Sequence, residues 1–155
     1  PTQTPGRINI FEFSKFKIMV DFAHNPAGYL AIEDFLSFVS ATKKIGIIAG
    51  VGDRRDEDII ECGKIASRMF DHIIIRQENH LRGRTEQEII DLLLKGINSV
   101  EQPVTYEIIP KEVEAIKHVF SIAKEGNYIV ALSDVVSNAI TLVQTYLENE
   151  NSQNS

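Results

Sequence analysis

The stretch "MVDFAHNPAGYLAI", residues 19–32, decides the fold because it passes from an apolar strand directly into an amphipathic helix. Met19 and Val20 belong to a continuous apolar run, which is typical of a strand in a sheet that is covered on both faces. Asn25 followed by Pro26 is an N-cap with proline at the first helical position. The sequence therefore predicts a strand and a helix separated by a short polar joint, which is the unit of an α/β fold.

The same order of strand and helix recurs along the chain. Strand candidates, most of them continuous apolar runs, are "RINIFEF", "FKIMVDF", "KKIGIIAGV", "DHIIIRQ", "VTYEIIP" and "NYIVALS". Further helices are predicted to begin near Asp56, at the capping box "TEQE" of residues 85–88, near Pro110, and at Ser133 or Asp134. The first two strands form a hairpin across Ser14 and Lys15, and right-handed crossovers join the others. We therefore predict an α/β, Rossmann-like three-layer sandwich, with a mostly parallel sheet of about six strands, helices on both faces and an N-terminal hairpin.

Composition restricts the class of protein. The chain has 155 residues, 43% of them hydrophobic and 25% charged, which suits one globular domain. A net charge of −6 argues against a general nucleic acid binder or a binder of anionic membranes, because both need clustered cations. No apolar run is long enough to span a bilayer, the start does not read as a signal peptide, and a single cysteine, Cys62, fits a reducing compartment. The sequence predicts a cytoplasmic location.

The ends of the chain differ in composition from its middle. Residues 1–7 have the Pro, Thr and Gly content of a linker, which we expect to come from an upstream domain. Residues 149–155 form a polar tail with little to bury. The predicted domain therefore covers residues 8–148.

Polar side chains gather where three of the predicted strands end. Ligands of such sheets bind at the carboxyl ends of the strands, beside the starts of the following helices. The candidates in the three loops are Asp21, His24 and Asn25; Gly50, Gly52, Asp53, Arg54 and Arg55; and Asn79, His80, Arg82 and Arg84. The sequence predicts that these three loops converge on one edge of the sheet.

Each candidate also has a purely structural interpretation. Asn25 can serve only as a cap, His24 can bond a neighbouring carbonyl, and Asp21 can accept bonds from amides of its own loop. The arginines of "DRRDED" can form local ion pairs, and the glycines there do not make a dinucleotide fingerprint, because Arg55 stands where a third glycine is needed. The "RGR" of residues 82–84, just before a capped helix, suits a carboxylate or phosphate ligand better.

Several catalytic motifs are missing from the sequence. It has no phosphate-binding loop of the G-x-x-x-x-G-K-[ST] type, no G-x-S-x-G elbow and no plausible Cys and His pair. His72 and His118 are interpreted as structural or exposed, and no pair of histidines has the spacing of metal ligands. The sequence therefore predicts neither a catalytic residue nor a metal site in this chain.

The motifs taken together resemble those of a known family. "VDFAHNPAG" at residues 20–28 is similar to the "DYAHNP" that opens the C-terminal domain of the Mur ligase superfamily, and "PGRINIFEF" is similar to the linker and hairpin before it. "GVGDRRDEDI" and "HLRGRTEQE" resemble the cyanophycin synthetase branch more than the peptidoglycan ligases. The resemblance runs from Pro5 to about Leu147 and departs from the pattern at Phe22, where tyrosine is usual, and at Gln87, where glycine is usual.

This resemblance implies an ATP-dependent amide ligase that works through an acyl phosphate. In that family a central ATPase domain binds ATP and Mg²⁺, and the C-terminal domain closes over the nucleotide and helps to hold an amino acid and a polymer or peptide acceptor. By position, Asp21, His24 and Asn25 are then nucleotide-binding. The implied substrate-binding residues are Asp53, Arg54, Arg82 and Arg84. The cyanophycin synthetase branch implies addition of arginine to an aspartate side chain, by an enzyme of which the isolated domain is inactive.

Three other interpretations stay open. A peptidoglycan or folylpolyglutamate type of ligase would add a different amino acid. A nicotinamide- or nucleotide-binding domain of other function would bind its cofactor tightly as an isolated chain, although the broken glycine pattern speaks against it. A noncatalytic interaction module would have a partner and no role for the polar edge. The sequence leaves a homo-oligomer open as well.

Overall fold

The structure, a computed structural model, describes residues 9–50, 55–77, 81, 83–101, 104–133 and 135–153. These residues form a sheet of six strands in the order β1-β2-β6-β3-β4-β5. The strands are β1 (Asn9–Glu12), β2 (Lys17–Asp21), β3 (Lys43–Ile48), β4 (His72–Ile75), β5 (Thr105–Ile108) and β6 (Asn127–Leu132). The helices are α1 (Pro26–Leu36), α2 (Asp56–Met69), α3 (Glu86–Ile97), α4 (Glu112–Ile122) and α5 (Val136–Gln153).

The predicted fold class is confirmed. β1 pairs antiparallel with β2, as the predicted hairpin requires, and all other neighbouring strands pair in parallel. The last helix begins at Val136, later than the predicted start at Ser133 or Asp134. The reason is that Ser133 still belongs to the sheet edge, where its N–H donates to the Asp21 carbonyl oxygen at 2.9 Å. The helix also continues to Gln153, through residues that the sequence assigns to the polar tail.

Hydrophobic cores lie on both faces of the sheet. Neighbouring residues of β2 illustrate the alternation, since Met19 packs on the side of α1, α2 and α3, whereas Val20 packs on the side of α4 and α5. On the first side α2 and α3 approach closely at Gly63 and Gly96, where an added Cβ would strike backbone of the facing helix. The helices that follow β2 and β6 therefore leave toward opposite faces, an arrangement at which open α/β sheets commonly bind ligands.

No helix within the described part of the chain is both long and apolar enough to cross a membrane.

Candidate functional site

The joint between β2 and α1 holds the first group of predicted site residues. Asp21 is the last residue of β2, and its Oδ2 accepts the Ala23 N–H at 3.0 Å. Partial burial raises the pKa of the Asp21 carboxyl, while hydrogen bonds from the N–H groups of Ala23 and Phe22 oppose the rise. The carboxylate is therefore held in place by its own loop at some cost to its charged form.

Asn25 and His24 are also engaged locally. Asn25 is the N-cap of α1, with its side-chain oxygen accepting the Gly28 N–H at 2.8 Å and Pro26 in the first turn. His24 Nδ1 lies 3.0 Å from the Phe22 carbonyl oxygen, and the two rings are tilted with centroids 4.8 Å apart. Asn25 thus caps a helix and His24 contacts a neighbouring carbonyl, as their structural interpretations state. Binding of a ligand by these side chains stays a prediction.

A cavity of about 340 Å³ brings these side chains together. Asp21, His24 and Asn25 line it, together with the first turns of α1. Gly28 lets the helix approach, because an added Cβ would lie only 3.1 Å from the Ala23 Cβ. The first turn of α1 carries no acidic residue, whereas α2, α3 and α4 each carry at least two, so the positive end of the α1 dipole faces this cavity without a competing carboxylate in that turn.

The other two predicted loops are only partly described. Asp53, Arg54 and Arg82 lie outside the described residues, as do Gly52, Asn79 and His80, so their placement stays a prediction. The strand ends that lead into these loops are joined directly. The Gly50 N–H donates to Gln77 Oε1 at 2.9 Å, and Gln77 Nε2 donates to the Gly50 carbonyl oxygen at 2.8 Å. The carboxyl ends of β3 and β4 therefore meet as the sequence predicts.

Arg84 connects the starts of two helices. Its Nη1 donates to Asp56 Oδ1 at 2.6 Å, and Asp56 is the first residue of α2. Thr85 begins α3 with the predicted capping box, in which Thr85 and Glu88 exchange side-chain to backbone hydrogen bonds. The neighbouring Arg55 makes the local ion pairs expected of a solvated helix start, with Asp58 at 3.2 Å among them.

A buried network that the sequence did not predict lies beneath this edge. Arg76 follows β4 and is 1% exposed. Its Nη2 donates to the Leu132 carbonyl oxygen at 2.7 Å, reaching across β3 to the end of β6, and its Nε lies 3.4 Å from Glu112 Oε2. Ser133 Oγ donates to the same carboxylate oxygen at 2.6 Å. The Ser133 N–H also donates to the Asp21 carbonyl oxygen, so the network connects to residues 21–25, the loop that the sequence predicts to bind a nucleotide.

One feature of the sequence points to this network. Arg76 and Gln77 come directly after the buried segment "HIII" of residues 72–75, at the point where a parallel strand ends. A cation and an amide placed at the end of a fully buried strand must find partners, because an unpaired buried charge is strongly destabilising. The identity of those partners, Leu132 and Glu112, depends on the sheet order and cannot be read from the sequence.

A second ionisable cluster lies away from the carboxyl edge. The carboxylate of Glu107 in β5 lies between two histidines: its Oε2 is 2.8 Å from His72 Nε2, and its Oε1 is 3.0 Å from His118 Nε2. The hydrogen bond with His72, and after it that with His118, lowers the pKa of the Glu107 carboxyl, while desolvation acts the other way. Within the described residues no group of three or more His, Cys, Asp or Glu is arranged to hold a metal ion.

A protein-family model matches most of the chain. The family model "Mur ligase, glutamate ligase domain" matches residues 6–135, which is most of the chain.

Curated relatives include two kinds of ligase. The chain is 41% identical over 144 residues to cyanophycin synthetase of Geminocystis herdmanii, a match that covers 93% of the chain and 16% of that protein. It is 30% identical over 131 residues to UDP-N-acetylmuramoyl-L-alanyl-D-glutamate–2,6-diaminopimelate ligase of Aquifex aeolicus, covering 83% of the chain and 26% of that protein. The chain thus spans about one sixth of the length of the cyanophycin synthetases it matches.

Solved structures show the same fold. A UDP-N-acetylmuramoyl-L-alanyl-D-glutamate–2,6-diaminopimelate ligase superposes with a TM-score of 0.76 at 17% identity, over 97% of this chain and 33% of that one. A bifunctional folylpolyglutamate synthase/dihydrofolate synthase with Mn, AMPPNP and L-glutamate bound gives a TM-score of 0.67 at 16% identity, over 92% of this chain and 32% of that one. At this level of identity the likeness concerns the fold alone.

Proposed function

Because the chain belongs to the Mur ligase, glutamate ligase domain family, we propose that it is the C-terminal domain of an ATP-dependent amide ligase of the cyanophycin synthetase type. On this proposal it closes over a nucleotide that is bound mainly by a central ATPase domain of the same parent chain. The identity of about two fifths with cyanophycin synthetases, against three tenths with a peptidoglycan ligase, favours the cyanophycin synthetase type.

The cavity beside residues 21–25 is the observation that carries the nucleotide part of the proposal. A carboxylate such as Asp21 suits the hydroxyl donors of a ribose and would repel a phosphate. The start of α1, free of acidic residues in its first turn, suits phosphate oxygens, and His24 and Asn25 lie at that start. We therefore assign Asp21 to the ribose side and His24 and Asn25 to the phosphate side of bound ATP.

The proposed reaction forms a carbon–nitrogen bond in two displacements. A substrate carboxylate attacks the γ-phosphorus of ATP, which releases ADP and leaves an acyl phosphate. The amine of the incoming amino acid then attacks the acyl carbon, releasing phosphate and leaving an amide. Such a reaction is accelerated chiefly by positioning and by neutralisation of phosphate charge, which a closing domain can supply without a nucleophile of its own.

The substrate side of the proposal rests on the other two loops. Asp53 would meet the guanidinium of incoming arginine, and Arg54, Arg82 and Arg84 would meet carboxylates of the amino acid or of the polymer. The hydrogen bond that Arg84 Nη1 donates to Asp56 Oδ1 at 2.6 Å supports the proposal that this guanidinium pairs with carboxylates. The assignment of single side chains to single groups is part of the proposal.

Magnesium is assigned mainly to the central domain of the parent enzyme. Mg²⁺ takes oxygen ligands from carboxylates and phosphates in octahedral geometry. The described residues hold no group of three or more metal-ligating side chains, and Asp21 stands without a second carboxylate in the lining of its cavity. We propose that Mg²⁺ is bound together with ATP, mainly by the central domain of the intact enzyme.

Steady-state kinetics of the intact parent ligase tests the nucleotide assignment. Replacing Asp21 by Ala should raise the KM for ATP roughly tenfold, because a charge-assisted hydrogen bond to a ribose hydroxyl is lost. The KM for arginine should change much less. A matched control is Asp71→Ala, which removes an exposed carboxylate before β4, at the opposite edge of the sheet, and should leave both constants near their original values.

The amino acid is tested by offering arginine, lysine, glutamate and diaminopimelate to the same enzyme with an aspartate-bearing acceptor. Incorporation of arginine supports the proposal. Preference for diaminopimelate or glutamate would contradict it and favour the peptidoglycan or folylpolyglutamate type. An isolated chain that binds NAD(H) tightly, or that forms amide bonds from ATP unaided, would overturn the assignment as a closing domain.

A further inference from the structure

One peptide unit at the end of β6 connects the buried Arg76 to the predicted nucleotide loop. Its carbonyl oxygen, which belongs to Leu132, accepts the hydrogen bond from Arg76 Nη2 at 2.7 Å. Its N–H, which belongs to Ser133, donates to the Asp21 carbonyl oxygen at 2.9 Å. Because a peptide unit is planar and rigid, a change in the direction of its carbonyl turns its N–H as well. Arg76 is therefore joined to Asp21 through one rigid group.

Glu112 closes these contacts into a ring. Its Oε2 accepts the Ser133 hydroxyl at 2.6 Å and lies 3.4 Å from Arg76 Nε. Glu112 is also the first residue of α4, where the helix dipole stabilises a carboxylate. The peptide unit is thus held at its carbonyl by Arg76 and through the Ser133 side chain by Glu112.

The sheet does not need this ring in order to form. β2 and β6 pair in parallel as far as Asp21 and Leu132. Arg76 is 1% exposed and Ser133 is 4% exposed, so the ring lies almost entirely out of water. Replacing a whole buried ion pair by apolar side chains is often neutral or stabilising, because the cost of desolvation offsets the attraction. What the ring adds to the sheet is therefore a fixed direction for the peptide unit.

The peptide unit points toward the carboxylate assigned to the ribose. Asp21 ends β2, and its carboxylate lines the cavity of about 340 Å³ and accepts the Ala23 N–H at 3.0 Å. The bond from the Ser133 N–H fixes the backbone of the same residue. Backbone and side chain of Asp21 are thus both held before a ligand arrives, and a preorganised group loses less conformational entropy on binding.

We propose that Arg76 is a positioning residue for nucleotide binding. It sets the direction of the Asp21 carboxylate through the peptide unit of Leu132 and Ser133, and it acts from beneath the site without touching the nucleotide. This role rests on the proposed function, because it takes the assignment of Asp21 to the nucleotide from there.

Steady-state kinetics of the intact parent ligase tests this role. Arg76→Met should raise the KM for ATP by about fivefold or more and change the KM for arginine by less than about twofold. An unfolded fraction of enzyme lowers the apparent kcat and leaves KM unchanged, so loss of stability alone does not give this result. The matched control is Gly96→Ala, which disturbs the contact of α2 with α3 by striking the Ile60 carbonyl oxygen and should leave the KM for ATP near its original value.

Ser133→Ala provides a milder variant for the case in which Arg76→Met does not fold. It removes only the hydroxyl that bonds Glu112, and it should raise the KM for ATP by about threefold. An unchanged KM for ATP in the folded variant, or an equal rise in Gly96→Ala, would overturn the positioning role.

A double variant shows whether Arg76 acts through Asp21. If it does, Asp21→Ala/Arg76→Met should have the same KM for ATP as Asp21→Ala within about twofold, because the carboxylate to be positioned is already absent. Two effects that multiply would overturn the positioning role and leave the nucleotide assignment intact. An Asp21→Ala enzyme with unchanged KM for ATP would instead overturn the nucleotide assignment itself, and the positioning role with it.

Discussion

Replacing Arg76 by methionine gives the sharpest test of how the carboxyl edge is held together. Methionine fills a similar volume without charge or hydrogen bonds. The change removes the bond from Nη2 to the Leu132 carbonyl oxygen at 2.7 Å and the contact of Nε with Glu112 at 3.4 Å. Since the Arg76 side chain is 2% exposed and that of Glu112 is 16% exposed, this ion pair is among the most buried in the described structure.

The size of the expected loss in the free energy of unfolding depends on the Glu112 carboxylate, which stays buried when Arg76 is removed. Removing one partner of a buried ion pair destabilises a protein by about 3–5 kcal/mol, because the other charge stays buried without compensation. Here Glu112 keeps the hydrogen bond from Ser133 and lies in the first turn of α4, where the helix dipole stabilises a carboxylate by roughly 0.3–1 kcal/mol. We therefore expect Arg76→Met to lower the free energy of unfolding by about 3 kcal/mol, near the lower end of that range.

Urea unfolding of the chain at pH 7 measures this loss, and Arg68→Met provides the matched control. Arg68 pairs with Glu33 at 2.9 Å in good geometry, but the side chains are 39% and 30% exposed. An exposed pair contributes about 0–1 kcal/mol, so the control should lose at most that amount. The double variant Arg76→Met/Glu112→Leu, which replaces both charges by apolar groups, should be more stable than Arg76→Met alone.

Arg76→Met should lose more stability than Arg68→Met, and an equal or smaller loss would contradict a stabilising role of the buried pair. Losses from Arg76→Met and Glu112→Leu that simply add in the double variant would contradict it as well, because the two groups would then not interact. Either result would mean that the network does not hold the ends of β4 and β6 together.

Three further predictions concern packing and protonation. Gly96→Ala should lower the free energy of unfolding by about 3 kcal/mol in urea, because its Cβ would strike the Ile60 carbonyl oxygen of α2, whereas Lys95→Ala, one residue earlier on the exposed side, should change it by about 0.5 kcal/mol or less. The ionised Glu107 carboxylate stabilises the original chain above the usual carboxyl pKa of 4.5, and this stability is lost as the pH falls through the lowered folded-state pKa. Glu107→Gln should therefore be less stable than the original chain at neutral pH, and the free energies of unfolding of the two proteins should converge in acid. A difference that stays constant with pH would contradict the lowered pKa of Glu107. Burial raises the pKa of the Asp21 carboxyl in the folded state, so the free energy of unfolding decreases as the pH rises from the ordinary carboxyl pKa through this raised pKa. We therefore expect Asp21→Asn to be at least as stable as the original chain in urea at pH 7. A marked loss of stability in this variant would show that the fold favours the charged form.

The fold follows from local patterns, and this is why the sequence predicts it well. The cap at Asn25 and Pro26 and the capping box at Thr85 depend on residues within one helical turn, so their chemistry is complete in the sequence. Most of the strands are short apolar runs bounded by polar residues, and the hairpin follows from the two-residue joint at Ser14 and Lys15. α5 begins later than predicted because the Ser133 N–H bonds the Asp21 carbonyl oxygen of the neighbouring strand, a contact between distant residues that the local pattern does not contain.

The site depends on contacts between distant parts of the chain, and there the sequence is less informative. Arg76 and Leu132 are 56 residues apart, and Glu107 and His72 are 35 apart. Partners at such separations are fixed by the order of strands in the sheet, in which β6 lies between β2 and β3 although it comes last in the chain. Sequence periodicity reports which residues are buried and not which strands are neighbours, so the histidine pair on Glu107 and the arginine beneath the edge were both missed.

The starts of the three helices at this edge differ in charge, and the difference suggests how the edge divides its ligands. α2 begins with three acidic residues and α3 has two in its first turn, so the positive ends of these helices already have carboxylates of their own. Arg84 joins them by pairing with Asp56. A substrate carboxylate that approaches Arg84 must therefore share this guanidinium with Asp56 or displace Asp56 from it. A displaced Asp56 would need a new cationic partner, so a substrate that also carries a cationic group is favoured, because that group can pair with Asp56. α1 has no acidic residue in its first turn and can receive a phosphate without such an exchange. On the proposed function, the charge pattern is therefore expected to place the nucleotide at α1 and an amino acid of mixed charge between α2 and α3. A parent enzyme that preferred a purely anionic amino acid would contradict this expectation.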